Sequence, residues 1–149
     1  MEEPDVVALR VIEAVNAHDL GALRKLYAAD ARTRRPGWPQ EGDVEYLLAS
    51  YELGFACVPD IRFESLSSTS EGARIATEVR ITGTNTGPTV LGAFGKALLG
   101  RDVEALPPTG RSIDLPGVLV HEVVDGRVVV ERQYWGLLEF LVQVGVIGD

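Results

Sequence analysis

Residues that hold metals or carry redox chemistry are scarce in this chain. Its 149 residues include one cysteine, Cys57, and two histidines, His18 and His121. A single cysteine cannot form an internal disulfide and suits a reducing, cytoplasmic setting. Cys57 lies in an apolar segment and reads as core filler. With the histidines far apart, no zinc ligand cluster forms, and no metal site is expected. Basic residues are also in deficit: 14 Lys and Arg against 22 Asp and Glu leave a net charge of −8. That balance argues against nucleic acid and anionic membranes as partners, because both need a basic footprint. No apolar run approaches the roughly 20 residues of a membrane span. The opening Met-Glu-Glu-Pro-Asp lacks the positive and apolar regions of a secretory signal. What is present is an ordinary globular composition, 46% hydrophobic and 24% charged, with neither repeats nor low-complexity tracts. The length fits one domain over residues 1–149 with a real core.

The first third is helical in pattern. Val7, Val11, Ile12 and Val15 recur at helical spacing after Pro4, predicting a helix over 4–17. Asp19 can cap a second helix, Leu20 to Ala29, with Leu23, Leu26 and Tyr27 facing inward. His18, at the junction, reads as a surface or capping residue. Residues 30–40 read as a loop with three arginines and Trp38, which either seals a pocket mouth or covers core. A third helix is expected over 42–57, with Val44, Leu47, Leu48, Tyr51 and Phe55 on one face. The Tyr51 hydroxyl there should seek a buried partner or a ligand.

Strands follow. Ile61 to Thr69 and Ala73 to Thr84 flank a turn at Ser70-Glu71-Gly72. In the second, Ile75, Thr77, Val79 and Ile81 face one way, and Asn85 shares that face if the strand runs on. Residues 87–109 are rich in glycine and proline, with an apolar piece, Val90 to Leu99, that suits a lid or a helical turn. Asp125-Gly126 between two β-branched runs signals a hairpin of Arg111–Val124 and Arg127–Trp135. Counting outward pairs Val123 with Val128, His121 with Val130, Leu119 with Arg132 and Gly117 with Tyr134. This register gathers His121, Arg132 and Tyr134 among aliphatics on one face, with Glu122, Glu131 and Gln133 on the other. The first face is expected to be the inner one, because two unpaired glutamates are costlier to bury than a His and an Arg that meet a ligand. Helices first and antiparallel strands after make an α+β fold with helices packed on a curved sheet.

Several motifs resemble a known group. Val15-Asn16-Ala17-His18-Asp19-Leu20, with Leu23, Tyr27 and Asp30, looks like the start of the NTF2-like cone. Cys57-Val58-Pro59-Asp60-Ile61 resembles that group's Phe-Pro-Asp entry to its first long strand. Gly83-Thr84-Asn85-Thr86-Gly87 resembles Gly-Thr-His-Thr-Gly. Pro107-Pro108-Thr109-Gly110-Arg111, Asp125-Gly126-Arg127-Val128 and Tyr134-Trp135 complete a pattern similar to the SnoaL-like polyketide cyclases. The resemblance implies a curved antiparallel sheet wrapped by three N-terminal helices, a homodimer and no cofactor. It further implies an apolar pocket in which a polyketide-derived substrate closes a ring by aldol chemistry. The position matching the family's acid, directly after Tyr134-Trp135, is Gly136, and the motif histidine is Asn85. A family histidine on the penultimate strand matches His121.

The expected catalytic residues are therefore His121, moving a proton, Arg132, steadying an oxyanion, and Tyr134, donating to a carbonyl. Tyr51, Asn85, Trp38 and Trp135 are expected to bind substrate. Loss of the acid leaves other routes open: ring closure by confinement in a shaped cavity, epoxide opening or hydroxylation, or a module that only binds a small molecule or mediates association.

Overall fold

The computed structural model describes residues 2–38, 40–91 and 93–148, without the side chains of 93 and 94. Three helices come first: α1 (Pro4–Asn16), α2 (Leu20–Leu26) and, after strand β1 (Tyr27–Arg34), α3 (Val44–Cys57). Each begins where the sequence supplies a start signal. Pro4 occupies the first turn of α1, where its missing N–H costs nothing. Asp19 accepts from the Ala22 N–H at 2.9 Å and Asp43 from the Tyr46 N–H at 2.9 Å. The remaining elements are β2 (Arg62–Glu71), β3 (Arg74–Thr84), β4 (Thr89–Val90), α4 (Ala93–Leu99), β5 (Ala105–Leu106), β6 (Ser112–Val124), β7 (Arg127–Trp135) and α5 (Leu137–Gln143). The apolar piece 90–99 thus yields the short helix α4; residue 92 lies outside the described residues.

The architecture is α+β, with a curved, open sheet in the order β1-β7-β6-β3-β2. Its pairs are antiparallel except β1 with β7, which is parallel. That edge strand corrects two expectations. The second helix stops at Leu26, and half of the expected loop over 30–40 is strand. The segment Tyr27-Ala-Ala-Asp-Ala-Arg-Thr-Arg buries only Tyr27, Ala31 and Thr33, so it lacks the β-branched alternation that marks a strand in sequence. Parallel pairing beside β7 supplies the backbone bonds that propensity does not.

The core lies between the concave face of the sheet and the helices. Val7, Val11 and Val15 of α1, Leu47 of α3, Ile75 and Val79 of β3, and Leu115 and Leu119 of β6 are each at most 1% exposed. Asn16 ties the end of α1 to β2. Its amide nitrogen donates to the Phe63 carbonyl at 2.9 Å, and its oxygen accepts the Phe63 N–H at 2.8 Å.

The hairpin turn forms as expected, with Asp125 at φ 51° and Gly126 at φ 75°. The register beyond it does not. A bulge between Val123 and Glu122 leaves Val129 as an extra residue on β7. Glu122 then pairs with Val130, His121 with Glu131, Val120 with Arg132, Leu119 with Gln133 and Val118 with Tyr134. One inserted residue exchanges the faces of everything after it on β7. His121 keeps its expected inward place on β6, but the β7 residues that share its face are Glu131, its pairing partner, and Gln133. Arg132 and Tyr134 turn outward.

Candidate functional site

The inserted residue in β7 builds a buried polar chain. His121 and Glu131 are both 0% exposed, and the His121 Nε2 lies 2.7 Å from Glu131 Oε1. Tyr27 of β1 donates its hydroxyl to the same oxygen at 2.5 Å. The other oxygen, Oε2, accepts from Tyr51 Oη at 3.3 Å and from Gln133 Nε2 at 3.0 Å. Four donors on the two oxygens fill the carboxylate's acceptor sites. The His121 Nδ1 is buried without a partner among the described residues. A carboxylate only accepts, so the bond runs from a protonated Nε2 of His121 to Glu131.

Burial resists ionisation of Glu131. The hydrogen bond and charge of His121, then Tyr27 and Gln133, outweigh it and hold the carboxyl below its ordinary range. Burial, and next the Glu131 charge, push the Tyr27 and Tyr51 phenols well above their ordinary 10.0. Both therefore remain donors.

Gln133 carries the chain outward. Its Nε2 also donates to Tyr51 Oη at 2.7 Å. Its Oε1 accepts from Arg35 Nε and from Trp135 Nε1, each at 3.2 Å. Every hydrogen-bonding position of the amide is used, which fixes its orientation. Arg35 also donates from Nη1 to Ser50 Oγ. Its guanidinium lies over the Tyr51 ring at 5.0 Å and the Trp135 ring at 6.0 Å. Burial pulls the Arg35 pKa below its ordinary value, with the fields of Tyr51 and Glu131 opposing this; the group stays a cation.

Here the chain meets an open cavity of about 480 Å³ at the ends of the paired strands β1 and β7. Arg34, Arg35, Trp38, Gln133 and Trp135 line it, and Arg132 and Tyr134 contribute from the outer side of β7. The expected site residues thus part company. Trp38 and Trp135 stand on the cavity, with Trp38 packed at 4.4 Å on Tyr46. Tyr51 lies behind the wall, beneath Arg35. His121 lies deeper, out of reach of solvent. Arg132 and Tyr134 do not share its face: Arg132 donates to Glu122 at 3.0 Å, and Tyr134 is 56% exposed. Asn85 is remote from the cavity. Its amide group bonds Gly87, the Cys57 carbonyl and Thr109, bracing the loops between β3 and β6.

Sequence reasoning missed Glu131, Gln133, Tyr27, Arg35 and Ser50. The first two follow from the β7 bulge. Arg35 carried a faint signal as one of three arginines beside Trp38.

The profile of the SnoaL-like domain matches residues 8–131. The chain belongs to the SnoaL-like domain family. Solved structures agree on the fold of this SnoaL-like protein. IdmH of Streptomyces antibioticus, proposed to be a polyketide cyclase, superposes with a TM-score of 0.75 at 24% identity, over 97% of this chain and 99% of that one. A proposed SnoaL-like polyketide cyclase from Jannaschia sp. CCS1 gives 0.79 at 21%, over 97% and 93%. AclR of Streptomyces galilaeus, proposed to be a hydroxylase, gives 0.76 at 23%, over 98% and 83%. No curated protein sequence matches the chain. At these identities the likeness is one of fold. The Gly136 that follows Tyr134-Trp135 caps α5 and carries no acid.

Proposed function

We propose that this SnoaL-like protein is a cofactor-independent cyclase that closes a ring in a polyketide-derived intermediate, working by confinement rather than with an acid in contact with substrate. The observation that carries this is the hydrogen-bonded chain from His121 and Glu131 through Gln133 to Arg35 and Trp135. It spends a buried charge on holding one wall of a cavity rigid. His121 and Glu131 act as positioning residues, since each is wholly buried and Glu131 has its acceptor sites filled. The wall holds a flexible chain with its enolised carbon against its own carbonyl, and proximity alone removes several kcal/mol of barrier. A carbon between two carbonyls loses its proton to water, the new carbon–carbon bond forms, and the resulting alkoxide takes a proton back from water. No electrons are exchanged, and the product has the mass of the substrate, or less one water after dehydration.

The second reading is a binding module without turnover. It is favoured by Gly136 and by the absence of any Asp, Glu or His among the described residues lining the cavity. Incubation with linear poly-β-ketone thioesters, followed by chromatography and mass spectrometry, separates the two. A cyclase gives a ring product faster than buffer alone does, and a binding module gives saturable binding at the background rate. We further propose a cytoplasmic homodimer of single-domain chains.

A further inference from the structure

We propose that the cavity selects a planar anion, a carboxylate or an enolate conjugated to a flat ring or chain, and that Arg35 is the residue that selects it. This deepens the cyclase reading by naming the charge and shape of its ligand. The first ground is electrostatic. The chain as a whole carries −8, yet the cavity is lined by Arg34, Arg35 and Arg132 and, among the described residues, by no Asp or Glu. Arg132 is matched by Glu122 at 3.0 Å. Arg34 and Arg35 are in no ion pair among the described residues, whereas five of the other arginines are: Arg10, Arg24, Arg32, Arg80 and Arg132. The half-buried guanidinium thus touches no carboxylate among the described residues; Glu131 acts on it only from behind Gln133 and Tyr51, and a ligand anion on the cavity side would complete its neutralisation.

The second ground is geometry. Arg35 places Nε on Gln133 and Nη1 on Ser50, and among the described residues none of its hydrogen bonds runs from Nη2. The Tyr51 and Trp135 rings flank the guanidinium at 5.0 and 6.0 Å and, with the bonds to Gln133 and Ser50, hold the fork in place. A pre-aligned guanidinium with donors to spare is the group that best recognises planar oxyanions. Trp38 and Trp135 on the same cavity supply flat apolar surface for the ring that carries the anion.

Isothermal titration calorimetry with 2-naphthoate, and with the uncharged 2-naphthalenemethanol, tests this on the intact protein. The expected result is that naphthoate binds at least tenfold more tightly than the alcohol. Arg35→Gln should abolish that preference, bringing the ratio of the two affinities to about one. Arg35→Lys, which keeps the charge and loses the fork, should fall between the two. It also serves if Arg35→Gln fails to fold, as judged by circular dichroism. Equal affinity for acid and alcohol, no naphthoate binding at millimolar concentration, or unchanged preference in a folded Arg35 variant would each overturn the proposal. Because no turnover is measured, such a failure leaves ring closure open. Naphthoate binding without turnover of any thioester would instead remove the cyclase reading and keep the anion site.

Discussion

At the scale of single residues, the molecule turns on Glu131 and the groups that satisfy it. Tyr27 and Glu131 meet at 2.5 Å with both residues buried. Tyr27→Phe removes a donor to a charged group and is expected to cost roughly 1–3 kcal/mol in urea unfolding. Gln133→Leu keeps the bulk but cuts Arg35 and Trp135 loose from Glu131. It should leave the cavity in place and lower turnover of a cyclised thioester about tenfold or more; unchanged turnover would show that the wall need not be rigid. The ionisable members also set a pH profile. Glu131 has a folded pKa below its ordinary value, so its contribution is present above the ordinary carboxylate range and is lost as pH falls through the folded value. Tyr27 and Tyr51 are shifted upward, so their contribution is intact below about 10 and is lost as pH rises beyond it. Melting temperature should therefore be highest between these limits. A melting temperature that climbs through pH 11 would contradict the buried-phenol arrangement.

At the scale of elements, the hairpin shows what a sequence discloses. The Asp125-Gly126 turn, the extent of β7 and the inward side of β6 were all legible, because turn chemistry and alternation are local signals. The bulge was not. Val128-Val129-Val130 offers three equivalent residues, and nothing local says which of them is extra. The rule that two unpaired glutamates resist burial was sound but misapplied. The bulge brings Glu131 in to meet His121 and leaves Glu122 outside, against Arg132. Likewise β1 is invisible as a strand because its pairing with β7 is decided by tertiary contact. Deleting Val129 removes the extra residue and keeps Val123 opposite Val128, His121 opposite Glu131 and Val120 opposite Arg132, so Glu131 stays inward and Arg132 outward. The deletion is expected to cost roughly 2 kcal/mol or less in urea unfolding. Loss of cooperative unfolding would contradict Val129 as the residue that the pairing leaves out.

At the scale of the whole molecule, the convex side of the sheet remains to be covered. Val118 pairs with Tyr134 and Val120 with Arg132, and Val124 and Tyr134 are 51% and 56% exposed. The proposed homodimer would bury this apolar area. Sedimentation is expected to give a dimer at micromolar concentration, and Val120→Glu should shift it to a monomer. A wild-type monomer would refute the proposed assembly. Helix order, sheet class and family pattern were readable along nearly the whole chain. Which polar residues end up inside was not, since that depends on one inserted residue and on a parallel edge strand from a distant part of the sequence.

The most direct test of the account compares the two hairpin glutamates. Glu131→Ala strands the Tyr27, His121 and Gln133 donors in the core and leaves a void, whereas Glu122→Ala removes a half-exposed partner of Arg132. Urea unfolding should show a loss of roughly 3 kcal/mol or more for Glu131→Ala and about 1 kcal/mol or less for Glu122→Ala. Equal losses, or the larger loss at Glu122, would contradict the inward placement of Glu131 on which the site depends.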